Sequence, residues 1–229
     1  MKERFSQKET FVWITADEKR YIEIAKEELK ERRKDLERFV RWHPYFVVTL
    51  DEYQIEESNE VPEIVLRMIE SAEKFGIGPM SAVAGTLAEF AVAAMRDAGA
   101  GYAIVDNGGD VALITDRDVL VGVYAGESPF SNKIALKIKP SSALVGICTS
   151  SGTVGHSISF GNADAATVVS DSASLSDAAA TALGNSVTDA HSVKNAFLAI
   201  THVEGIKGAL VIYQDMLATW GEMPEIVGV

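Results

Sequence analysis

Cysteine and positive charge are what this chain is short of. One cysteine, Cys148, stands in 229 residues; no internal disulfide can form, and a reducing cytoplasm is the expected compartment. Lys and Arg number 21 against 33 Asp and Glu, a net charge of −12. A nucleic-acid backbone is gripped by clustered cations, so nucleic acid is not an expected partner. No apolar run approaches the ~20 residues of a membrane span. The opening MKERFSQKET lacks the apolar core of a signal peptide. These absences point to a soluble, acidic protein without membrane contact. A long Pro/Gly/Ser linker is missing too, as is any short repeat, so 1–229 reads as a single domain. With 47% hydrophobic residues, the chain can build a substantial core.

The shortage of cations is uneven. Residues 1–75 hold 14 of the 21 Lys and Arg and 18 of the 33 Asp and Glu. Residues 1–60 therefore read as a charged strand-helix layer. Between Pro140 and Val193 there is no Lys or Arg at all. That tract includes GICTSSGTVGHSISFG, a small, polar stretch of the kind that lets backbone approach a ligand closely.

Periodicity supplies the elements. ETFVWITA reads as a strand, and Thr15 and Glu18 stand at capping-box spacing ahead of a helix running to Trp42. Acids interleave with KERRKDLER, so that run reads as an ion-paired, solvated face rather than an anion site. Helices are expected from Pro62 to Gly76 and from Pro79 to Gly99. The second of these opens on the small residues Ser81, Ala82, Ala84, Gly85 and Ala88. From residue 102 the period shortens: YAIVD, DVALIT, VLVGVYA, NKIALKI, ALVGICT and ADAATVV read as strands. Helices follow over SASLSDAAATALG and DAHSVKNAFLAIT, and GALVIYQD with MLATWG reads as a closing hairpin. Strands in series with helices inserted between groups imply an α+β fold.

Three small-residue segments could carry chemistry. In DNGGD, Asn107, Gly108, Gly109 and Asp110 could expose backbone N–H groups as an anion nest, or form an ordinary hairpin turn. In the opening stretch, Ser150, Ser151, Gly152, Thr153 and Gly155 could donate to a ligand, and His156 is the titratable group there. In LSDAAATAL, Asp177 and Thr181 share one helix face. Their hard oxygens suit Mg²⁺ or Ca²⁺. The plain alternative has Thr181 bonding back to the carbonyl of Asp177.

Taken in order, NGGD, TSSG with a downstream His, and LSDAAATAL resemble the motifs of the ApbE flavin transferases. GPMSAVAG sits where that family carries a small-residue segment. With RWHPYF and SDAAATALGN added, the chain is most similar to uncharacterised ApbE-like proteins of archaea and anaerobic bacteria, a group associated with sulfur assimilation. The resemblance implies an ApbE-like fold of two intertwined α+β halves, similar to a T-fold. It also implies Mg²⁺ on Asp177, Thr181 and a main-chain carbonyl near Ala84, with His156 as the catalytic residue. FAD or another nucleotide would be the ligand, and a protein acceptor or a homo-oligomer is compatible with it.

The departures are specific. After His156 the chain reads SISFG, without the family's Asp-Pro and Thr-Gly. The insertion between TSG and the His is also missing. Fold and metal site are thus expected to carry over better than transferase or pyrophosphatase-like activity. A non-catalytic binding or delivery factor is the alternative, and Cys148 beside the polar loop then draws notice.

Overall fold

The computed structural model describes residues 1–8, 10–55, 61–152 and 161–229. Strands β1 (Lys2–Gln7) and β2 (Thr10–Ala16) lead into the long helix α1 (Lys19–Trp42). Its buried side chains, Tyr21, Ile22, Ala25, Leu29, Leu36 and Phe39, form one face. Flanking that face, with their side chains largely covered, Arg32 pairs with Glu28 at 2.6 Å and Arg33 with Glu37 at 3.3 Å. The interleaved acids thus do what their spacing predicts. The expected capping box does not form: the N-cap is Glu18 and no side chain caps this helix. Thr15 is held in β2, paired with Lys2 and Ile104, and its backbone cannot turn to cap.

A short helix α2 (Tyr45–Val48) follows, then α3 (Glu63–Ala72) and, after a 3₁₀ turn over Pro79–Ala82, α4 (Val83–Asp97). Gly76 (φ 65°) and Gly99 (φ 97°) close the two expected helical stretches in the left-handed region. Strands β3 (Ala103–Asn107), β4 (Asp110–Thr115), β5 (Val119–Gly122), β6 (Ile134–Ile138), β7 (Ser141–Ser150) and β8 (Ala165–Ser170) match the six short runs of the sequence. Helix α5 (Ala173–Asn185) and the hairpin of β9 (Ile206–Tyr213) and β10 (Met216–Gly221) match theirs.

Three places differ. DAHSVKNAFLAIT makes only the four-residue helix α6 (Val193–Ala196) and a 3₁₀ turn. Ser192 and Asp189 bond each other's backbone in a tight turn that starts the helix late (Ser192 N–H to Asp189 Oδ1, 2.9 Å). The strands β1 and β11 (Glu225–Gly228) were not expected from periodicity. β1 alternates exposed and half-buried residues, most of them polar, as a sheet edge does, and β11 is too short to show a period.

β1-β2-β3-β4-β7-β8-β9-β10 is the order of the main sheet, every neighbouring pair antiparallel. Alternate residues of its strands face two separate cores. Val105, Ala112, Cys148, Val168 and Val211 face the helices. Leu113, Ile147, Ala165, Leu210 and Ile212 face a second sheet, ordered β11-β6-β5. The fold is α+β, as expected. Among the described residues, no single helix is long and apolar enough to cross a membrane.

Candidate functional site

On the helix side of the main sheet, the ends of β3, β4 and β7 meet the first turns of α4 and α5. Two glycines make this convergence possible. A Cβ on Gly146 of β7 would lie 2.5 Å from Ala173 Cα, and one on Gly85 of α4 would lie 2.3 Å from the Ala173 carbonyl oxygen. The start of α5 is thus wedged between a strand and a helix that both present bare backbone.

That wedge brings Asp177 to α4. It is nearly buried, and its Oδ2 accepts the Gly85 N–H at 2.8 Å. Burial, followed by the charge of Asp110, pushes the Asp177 carboxyl well above the usual carboxylate range, against the pull of the Gly85 and Ala84 N–H groups. Asp110 itself, half-buried at the surface but with its carboxyl turned inward among packed atoms, is pushed up to about 7 by that burial and then by Asp106, with the Cys148 thiol opposing. Cys148 is fully buried and donates to the Ala173 carbonyl at 3.3 Å. Burial, then the two carboxylates, hold the thiol protonated. Among the described residues no Lys, Arg or His shifts either carboxyl.

The Asn107–Asp110 segment is both things its sequence allowed. It is a two-residue hairpin, with Gly108 (φ 72°) and Gly109 (φ 106°) in the conformation such turns require. It also lies at the site, because Asn107 Nδ2 donates to the Ala84 carbonyl at 3.1 Å. As an anion nest it is partly spent: the Gly109 N–H already donates to Asp106 Oδ1 at 3.0 Å. Thr181, half-buried one turn beyond Asp177, does not repeat the back-bond that Thr86 makes to Ala82 (2.5 Å).

Ser150, Ser151 and Gly152 lie at the other end of α5. A Cβ on Gly184 would stand 3.6 Å from Ser150 Oγ. Gly152 N–H donates to the Ala163 carbonyl at 2.9 Å, and Ser151 Oγ reaches the same oxygen at 3.5 Å. Gly152, Gly161 and Gly184 stack: a Cβ on either of the first two would fall 1.9 Å from the next glycine's carbonyl oxygen. Thr153, Gly155 and His156 lie outside the described residues.

Sequence reasoning missed Glu89. Its carboxylate accepts from Ser172 Oγ at 2.7 Å and from the Ser174 N–H at 3.0 Å, at the first turn of α5. The available signal was one acid in the otherwise small and apolar TLAEF, four residues after Gly85. Nor did the sequence show Gly85 as the hydrogen-bond donor to Asp177.

The sequence model of the family described as AbpE bacteria matches residues 2–200. A UPF0280 protein of Methanosarcina acetivorans is 52% identical over 227 residues, covering 99% of this chain and 88% of its own. Another, from Methanococcoides burtonii, is 51% identical over 227 residues, with 99% and 94% covered. Among solved structures, the apo flavinyl transferase ApbE of Pseudomonas stutzeri is similar with a TM-score of 0.60 at 10% identity, over 98% of this chain and 95% of that one. The flavin transferase ApbE of Vibrio cholerae gives 0.50 at 13% identity, over 96% of each. At those identities the likeness is one of fold.

Proposed function

We propose, since the chain belongs to the family described as AbpE bacteria, that it holds a flavin or other nucleotide-like ligand by its phosphates, together with Mg²⁺, where the β3–β4 hairpin meets α5. One observation carries this reading. Asp110 and Asp177 are crowded together with raised carboxyls, and no cation among the described residues relieves them. Such a pair either keeps protons or takes a metal ion in their place.

The donors suit a hard cation. Asp177 would hold it with the Thr181 hydroxyl and the Ala84 carbonyl, the oxygen to which Asn107 donates. Among the described residues no three His, Cys, Asp or Glu side chains form a cage. A sparse oxygen set of this kind matches Mg²⁺, which keeps waters or ligand phosphates in its remaining positions. The cation would supply the positive charge that this tract lacks and draw charge from a bound phosphate. Gly108 and Gly109, without side chains, let that ligand approach the hairpin backbone. Asn107 orients the Ala84 carbonyl, and Gly85 orients the Asp177 carboxylate.

Calorimetry with Mg²⁺ and FAD should give binding heat for the wild-type protein and none for Asp177→Asn. Equal binding by both would defeat the reading. The second reading is a non-catalytic binding or delivery factor in anaerobic sulfur metabolism. It would have to work without Cys148 as a reactive group, since that thiol is fully buried and held protonated. Turnover of FAD, followed as released AMP, separates the two.

A further inference from the structure

We propose that Glu89 is a positioning residue, which sets the register of α4 against α5 and thereby places Asp177 beside Ala84. Only its consequence for a metal ion rests on the functional reading above; the register itself does not.

The geometry is reciprocal. Gly85 and Glu89 lie one turn apart on α4, and Ser174 and Asp177 share one face of α5. At one point the α4 backbone donates to an α5 carboxylate, from Gly85 N–H to Asp177 Oδ2 at 2.8 Å. One turn further an α4 carboxylate accepts from α5, at the Ser174 N–H (3.0 Å) and Ser172 Oγ (2.7 Å). Each helix thus gives one donor and takes one, and neither can slide or rotate without stretching both links. Glu89 also stands at the N-terminus of α5, where its charge meets the unpaired amides of the first turn.

The anchor is itself fixed. Glu89 is 8% exposed, and its second oxygen accepts from Arg67 Nη1 at 2.5 Å. Arg67 in turn lies over the Phe90 ring, 5.8 Å from its centroid, and Arg32 lies over the same ring at 4.1 Å. The side chain is therefore held from outside by Arg67 of α3 while it grips α5. The apolar contacts of α4 lack this directionality. Contact at Gly85, where a Cβ would already lie 2.7 Å from Asp177 Cβ, fixes how closely the helices approach but not their register.

The test uses Mn²⁺, read by electron paramagnetic resonance, as the probe for the cation, and amide hydrogen exchange as the probe for register. Glu89→Ala should weaken Mn²⁺ binding by about 10- to 100-fold, the range found for residues that orient metal ligands. It should also speed exchange at Gly85 and Ser174 selectively. Glu89→Gln, which keeps an acceptor oxygen, should recover most of both. Mn²⁺ affinity and Gly85 protection unchanged in Glu89→Ala would overturn the proposal. So would acceleration of all amides alike, which marks a merely structural residue; if Glu89→Ala does not fold, Arg67→Gln, which frees the outer oxygen of Glu89, is judged by the same two readouts. If the wild-type protein binds no Mn²⁺, the cation reading fails, and exchange at Gly85 still decides the register.

Discussion

At Asp110 the penalty of burial outweighs the Cys148 hydrogen bond, and the carboxyl rises to about 7. In the unfolded chain an aspartate titrates near 3.9. Between about pH 4 and pH 7 the folded protein therefore holds a proton that the unfolded chain has released. Its stability is present below that window and is lost as pH climbs through it, by at most about 1.4 kcal/mol per pH unit for one proton. Asp177, raised for similar causes, adds with the same sign. Thermal melts in a chelator should show the midpoint falling from pH 5 to 7.5, and Asp110→Asn should flatten the fall. A midpoint that rises over this range would refute the argument. Saturating Mg²⁺ should remove the slope, because the cation replaces the protons. At this scale the sequence was readable for placement, not for role: Asp177 and Thr181 do share helix α5, and Asn107 and Asp110 do flank a turn of two glycines. It was not readable at Glu89, because an acid among apolar helical residues looks like any solvated position until its partner helix is known.

The elements were legible for a different reason. Helix starts at proline, stops at glycine and the short β-rich runs are local signals, and most of them match the structure. Where neighbours outside the segment decide, local signals fail. The edge strand β1 owes its pairing to β2, whereas the helix expected at 189–201 gives way to a turn inside the segment itself, between Asp189 and Ser192. The small-residue segments suggested that something comes close, but not that it is the start of α5. That approach has a measurable consequence. In Gly85→Ala and Gly146→Ala the new methyl would meet the backbone of Ala173 at 2.3 and 2.5 Å. Overpacking of this kind costs about 1–3 kcal/mol, and denaturant unfolding should show each variant destabilised by that order. Gly108→Ala meets nothing within 4 Å, although its φ of 72° adds strain. It should cost about 1 kcal/mol. A ranking with Gly108→Ala as the worst of the three would contradict the packing described.

Over the whole molecule, likeness to the flavin transferases extends through nearly the full chain as fold, and the departures noted in the sequence fall on both sides of His156. The chain is expected to leave a standard ApbE acceptor protein unlabelled when incubated with FAD and Mg²⁺. A fluorescent acceptor band in a denaturing gel would reverse that expectation. The site also sits at a seam: β3, β4 and α4 come from the first half of the sequence, β7 and α5 from the second. The Gly85–Asp177 bond joins residues 92 positions apart. Contacts closed over such separations tend to form late in folding, after shorter loops have closed. Interactions absent from the folding transition state act on the rate of unfolding and leave refolding nearly untouched. If the last clasp is also the proposed ligand site, the molecule is kept by what it carries. Occupancy would lengthen its native lifetime without hastening its formation, so its abundance would follow the supply of its own cargo.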